Sequence, residues 1–260
     1  MSNNTTLNLR LFPVTVNLLK LMVIAGAFLN FINIFLWYYD VDNYFVSFLA
    51  GNGWLVWCFM LICVYALKFK PYYKMCLYYT FIIGNIDIFD YLFGIPLSAD
   101  ALFFTEIGIS ILFAIMITYS VYRNRIQSIE NVNDTVKNVT LLTLKIIPII
   151  ISLIIATRNF LFIYYLGGES PLYSFVAGTS VLTVIFMYSA SIVFRFCTYH
   201  RVFILFLAID CLLNIYDWYF ILPESFILPI QYTLVLITVI MFIISYIHVK
   251  RNKKTAQATA

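Results

Sequence analysis

The sequence predicts an all-α polytopic membrane protein: eight transmembrane helices arranged as two parallel four-helix repeats, with both termini in the cytoplasm. Three observations predict it. The 260 residues are 63% hydrophobic and only 11% charged. The basic residues gather at alternate breaks between apolar runs, and one half of the chain matches the other in register.

Composition decides the solvent. A soluble domain carries about 25% charged residues, whereas this chain has less than half of that and a mean hydropathy of +0.94. At roughly 20 apolar residues per span, the chain has room for about eight helices and no separate soluble domain. Continuous runs such as Val139 to Phe162 lack the alternation of a membrane β-barrel. The N-terminal polar stretch followed by a long apolar run reads as a retained span rather than a cleaved leader.

Polar breaks divide the chain into spans near 14–39, 45–67, 73–94, 100–122, 139–166, 173–196, 200–221 and 226–248. Even-numbered breaks carry Lys68, Lys70 and Lys74, then Arg123 and Arg125, then Arg195 and Arg201. The tail holds Lys250, Arg251, Lys253 and Lys254, and Arg10 and Lys20 flank the start. Odd-numbered breaks carry Asp40, Asp42, Asp100, Glu169 and Glu224 without any Lys or Arg. The positive-inside rule then places the termini and the even breaks in the cytoplasm. The net charge of +4 is thereby a matter of topology and not a nucleic-acid footprint.

A shift of 127 positions aligns Ser47 with Ser174, Gly51 with Gly178, Phe59 with Phe186, Asp90 with Asp217, Pro96 with Pro223 and Tyr119 with Tyr246. Basic residues keep the same register: Lys68 with Arg195, Lys74 with Arg201, Arg123 with Lys250. An even number of spans per copy makes the repeat parallel, with any central site expected between the halves. The expected organisation is a first repeat at 1–125, a cytoplasmic linker at 126–138, a second repeat at 139–250 and a cytoplasmic tail at 251–260.

Ionisable groups inside spans point to function because hydrocarbon makes them costly. Helix three carries Asp87 and Asp90, and helix seven carries Asp210, Asn214 and Asp217 at spacings of four and three, one stripe of a helix. Arg158 and Asn159 on helix five, Glu106 on helix four and Gln231 on helix eight fall in the same outer half. The expected ligand-binding set is Asp87, Asp90, Asp210, Asn214, Asp217 and Arg158, around an outward-facing acidic cavity with the aspartates meeting across the halves.

Only His200 and His248 are present, both at the basic rim, and the five cysteines lie in apolar runs. The sequence therefore predicts no metal site, no cofactor and no histidine-based catalysis. Carboxylate chemistry remains. The leading expectation is binding or transport of a small polar or cationic solute. One alternative is a non-catalytic subunit whose 25 Phe and 20 Tyr face a membrane-protein partner. Abundant Ile, Asn, Lys, Phe and Tyr suggest a low-GC bacterium, and so its cytoplasmic (inner) membrane, with the lipid bilayer as the certain partner.

A further alternative comes from a resemblance. Ile209-Asp210-Cys211-Leu212-Leu213 resembles the Ser-Asp-x-x-Leu motif of the lysoplasmalogenase-like family of eight-span membrane proteins. Asn85-Ile86-Asp87-Ile88-Phe89 resembles that family's Gly-Asp motif, although Ile86 and Ile209 stand directly before the aspartates. The resemblance implies an intramembrane lipid hydrolase with Asp87 and Asp210 as its catalytic candidates.

Overall fold

A computed structural model describes residues 3–39, 49, 51, 53–95, 97–123, 134–159, 175–220 and 223–258. Arg125, Asp40, Asp42, Glu169 and the side chains of Asp87, Glu224, Lys253 and Lys254 lie outside the described set, as does most of the expected linker. Among the described residues the secondary structure is helical throughout: α1 (Asn3–Tyr38), α2 (Trp54–Ala66), α3 (Pro71–Phe93), α4 (Ala99–Arg123), α5 (Asp134–Thr157), α6 (Val181–Val193), α7 (Thr198–Phe220) and α8 (Glu224–Ala258). Six stretches are long and apolar enough to cross a membrane: Pro13–Tyr38, Ala99–Arg123, Thr140–Thr157, Phe175–Val193, Thr198–Asp217 and Phe226–Asn252. That marks a multi-pass membrane protein. The apolar surface agrees, with Leu236 60% and Ile244 58% exposed along α8, positions that only lipid can solvate.

Helical boundaries repeat with the sequence register. Trp54 and Val181, Ala66 and Val193, Pro71 and Thr198, and Phe93 and Phe220 all stand in the 127 relation. Each of α2 and α6 ends in the same tight turn. Leu67 N–H donates to Cys63 O at 2.9 Å, and Phe194 N–H to Ala190 O at 2.9 Å. Lys68 and Arg195 follow, both at φ 51°. A left-handed conformation costs a non-glycine residue about 1–2 kcal/mol. Each single change, Lys68→Gly or Arg195→Gly, is therefore expected to raise stability by about 1 kcal/mol, read as a higher detergent-solubilised Tm. Glycine would relieve strain but forfeit a rim charge.

The register also exposes two departures from the expected spans. Where helices were expected over 45–67 and 173–196, α2 and α6 are 13 residues each, and the described residues 51, 53 and 178–180 before them are non-helical. A single helical turn at residues 175–177 precedes extended backbone at 178–180 before α6 starts. Residues 51 and 53 are likewise non-helical before α2. Non-helical backbone at this depth must find partners inside the protein. It does so across the halves: Gly53 N–H donates to Gly178 O at 2.8 Å. Ser180 and Thr183 form a capping box that closes the start of α6.

Packing interlocks the two halves. α1 packs on α3, α4 and α6, while α5 packs on α2 and α7. The first helix of each half thus rests on the second helix of the other, with Leu182 of α6 facing Gly26 of α1. α2 and α6 meet at the middle, where Phe59 and Phe186 touch edge to face with centroids 6.5 Å apart. Val56, Met60, Cys63, Met187 and Ala190 fill the space around them, each at most 3% exposed.

These contacts change three expectations. Among the described residues α2 and α6 meet in an apolar core around Phe59 and Phe186, at the place where the aspartates were expected to meet across the halves. Helix α5 begins at Asp134, within the stretch expected to be linker, and α8 runs through Ala258, into the expected tail. Pro148 inside α5 removes one ladder donor, and nearby Ser152 Oγ donates to Pro148 O at 2.8 Å and Phe203 O at 3.3 Å, tying α5 to α7.

Candidate functional site: a buried acid–amide cluster

The register residue of Asp210 in the first half is Ile83, so the second half alone carries a carboxylate at this point of its third helix. Asp210 is 2% exposed. Asn159, just beyond α5, donates Nδ2–H to Asp210 Oδ1 at 2.9 Å. Asn214, one turn further along α7, donates Nδ2–H to Asp210 Oδ2 at 3.0 Å and to Asp210 O at 2.9 Å. The second half thus supplies a carboxylate whose two oxygens are each held by a carboxamide. Arg158 is half-buried and close enough for its charge to act on Asp210.

The polar pocket of charge is acceptor-rich. Asn159 is 2% exposed, and its Oδ1 has no hydrogen-bond partner. Burying a carbonyl oxygen without a donor costs about 1–3 kcal/mol. Among the described residues, the Asp210 carboxylate accepts from the Asn159 and Asn214 amides, and the Asn159 Oδ1 is a further buried acceptor beside it in the same carboxamide.

The cluster adjoins the break in span six. At ~1.5 Å per residue, Asp210 lies about 18 Å along α7 from Thr198, and Val181 lies about 18 Å along α6 from Val193. A tight turn joins those two ends, so the levels coincide. Cys211 bears this out: its thiol donates to Thr179 O at 3.9 Å. The capped start of α6 therefore stands level with the carboxylate.

No protein-family model, curated protein or solved structure matches this chain. Its site has to be read from its own geometry.

Of the sequence-predicted residues, Asp210, Asn214 and Arg158 come together. Asp217 is half-buried one turn beyond Asn214 on α7. Asp90 has a separate task in the first half: its Oδ1 accepts Ile95 N–H at 3.0 Å and its carbonyl accepts Gly94 N–H at 2.8 Å. With Gly94 at φ 60°, this is a helix C-cap closed by a side chain. The side chain of Asp87 lies outside the described residues, and its helix packs on α1, α2 and α4 while α7 packs on α5, α6 and α8.

Asn159 was legible only as a polar residue of the outer half, because its partner is chosen by the α5–α7 contact. Two further polar side chains are as deeply placed. Glu106 on α4 is 1% exposed, and Gln231 on α8 is 3% exposed. The Gln231 Oε1 makes no hydrogen bond among the described residues. Ser110 Oγ donates to Glu106 O at 2.7 Å and pairs with Tyr79 Oη at 3.0 Å, so the first half holds a polar strand of its own.

Proposed function

We propose that this chain is an eight-span membrane protein of two parallel four-helix copies, which binds or transports a small polar or cationic solute at Asp210, Asn159 and Asn214. One observation carries the reading: a carboxylate 2% exposed, gripped by two carboxamides, with a third buried oxygen left without a donor. A cation or an ammonium group satisfies all three oxygens at once. Arg158 then acts as the resident counter-charge that an arriving cation displaces, which keeps binding reversible.

The interruption of spans two and six supports a transport reading over a purely structural one. Discontinuous helices at matching positions of two repeats commonly mark the substrate site of a transporter. Here they sit level with the acid. The repeat itself is supported by helix ends, turn hydrogen bonds and left-handed residues recurring in one register. Asp87, Asp90 and Asp217 would then contribute to the approach from the outer face rather than to the binding cluster.

A thermal-shift screen of the purified protein tests this, using sodium, potassium, ammonium, small alkylamines and free amino acids as probes. At least one probe is expected to raise the Tm; a ligand at 100 times its Kd contributes about 2.7 kcal/mol. Asp210→Asn should fold and lose that shift entirely. A shift that persists in Asp210→Asn overturns the assignment of the site, and no shift with any probe overturns solute binding. Hydrolysis of a lyso-ether lipid, abolished in both Asp87→Asn and Asp210→Asn, would replace it with the hydrolase reading. A stoichiometric membrane protein that co-purifies would replace it with the subunit reading.

A further inference from the structure

A concavity lies in the first half, among helices other than those that pack on α7. It occupies about 480 Å³ between α1, α3 and α4. Its floor is well packed: Ala27, Cys76, Tyr79, Ser110 and Phe113 are each at most 9% exposed. Its flanks stand in the lipid-facing surface, with Ile24 45%, Phe28 61% and Val121 40% exposed. The hydroxyls of Tyr79 and Ser110 are turned to each other at 3.0 Å, so the floor offers no unmet polar group. The concavity is an elongated apolar slot.

Direction and charge identify what fits. The slot runs from Tyr72 and Val121, near the Lys70 end of α3 and the Arg123 end of α4, to Phe31 and Ser110 deeper in the bundle. Lys20 stands on the same stripe of α1 as Ile24, one turn nearer that end. Its ammonium is held 5.7 Å from the Phe69 ring centroid. Three cations, Lys20, Lys70 and Arg123, therefore lie at the level of the mouth on the ends of these helices, and among the described residues no acidic side chain belongs to these three helix ends. Apolar length with a basic mouth is the complement of one acyl chain below an anionic headgroup.

We propose that the α1–α3–α4 slot is a binding site for an anionic phospholipid of the leaflet that faces the basic rim, with one acyl chain in the slot and the phosphate among Lys20, Lys70 and Arg123. The site is independent of the solute cluster and stands or falls alone. Burial of methylenes that a flat helical surface would leave loosely packed supplies contact, and the three cations supply headgroup preference.

Native mass spectrometry of the full chain tests it, after exchange into detergent containing either phosphatidylglycerol or phosphatidylcholine at equal concentration. Wild type is expected to retain one phosphatidylglycerol per chain at least fivefold more strongly than phosphatidylcholine. Lys20→Gln should lower that retention about fivefold, the effect of one cation at a lipid surface. Val121→Trp, a change at an exposed position that plugs the mouth, should abolish retention of the tight lipid while leaving the Tm of the lipid-free protein unchanged. Equal retention of the two lipids, or a Val121→Trp protein that keeps its tight lipid, overturns the proposal.

Discussion

Gly53→Ala is expected to destabilise the folded bundle by about 3 kcal/mol or more, enough to abolish a monodisperse peak after detergent extraction. A Cβ at residue 53 would lie 2.6 Å from Gly178 N and 3.0 Å from both Ala177 N and Val176 C. All three neighbours are backbone, so no side chain can rotate away. The backbone of Gly53 itself, at φ −82° and ψ 167°, suits any residue. The intolerance is purely one of space. Gly84→Ala makes the control, because nothing approaches within 4 Å of its Cβ position. In mid-helix that change should be neutral or gain up to ~1 kcal/mol from helix propensity. Two Tm measurements decide the matter. A Gly53→Ala protein as stable as wild type would mean that the two extended segments do not touch.

Asp210→Ala is the second large effect, expected to cost about 2–4 kcal/mol in thermal or denaturant unfolding. Truncation strips the acceptor from buried Asn159, leaves Asn214 only the Asp210 carbonyl, and creates a void next to Cys211. Asp210→Asn keeps the volume and one carbonyl acceptor, and should cost less than half as much. Asn159→Ala removes one donor and the orphaned Oδ1 at the same time, so part of its loss is returned. The predicted order is Asp210→Ala, then Asp210→Asn, with Asn159→Ala comparable to the latter. If all three cost the same, the three groups do not act as one network.

Much of the helical layout was legible because lipid imposes it. Backbone groups in hydrocarbon must pair within a helix, so apolar runs between charged breaks could be read almost as helices. The break before α6 was not legible in that way. Gly178, Thr179 and Ser180 make too short a dip between apolar residues to read as a break, and a pairing partner in the other half lets the backbone leave the helix there. The signal existed as Gly51 aligned with Gly178, two glycines in register at a crossing. Asp210 and Asn214 were legible from four-residue spacing. Their union with Asn159 was not, since spacing says nothing about which helix comes alongside. The capping role of Asp90 was not legible: an aspartate four residues before a left-handed glycine serves its own helix end, and its place in the span does not announce that.

The exchange of first helices between the halves governs how the chain can assemble. While the ribosome is still making residues beyond the linker, α1 has emerged but its α6 partner has not been synthesised. Its Gly26 face must wait in the bilayer, exposed to lipid or shielded by α3 and α4 alone. Final closure is then a late, long-range event dominated by contacts distant in sequence. A polypeptide truncated after the fourth helix would insert, yet leave that face open to pair with any other truncated copy.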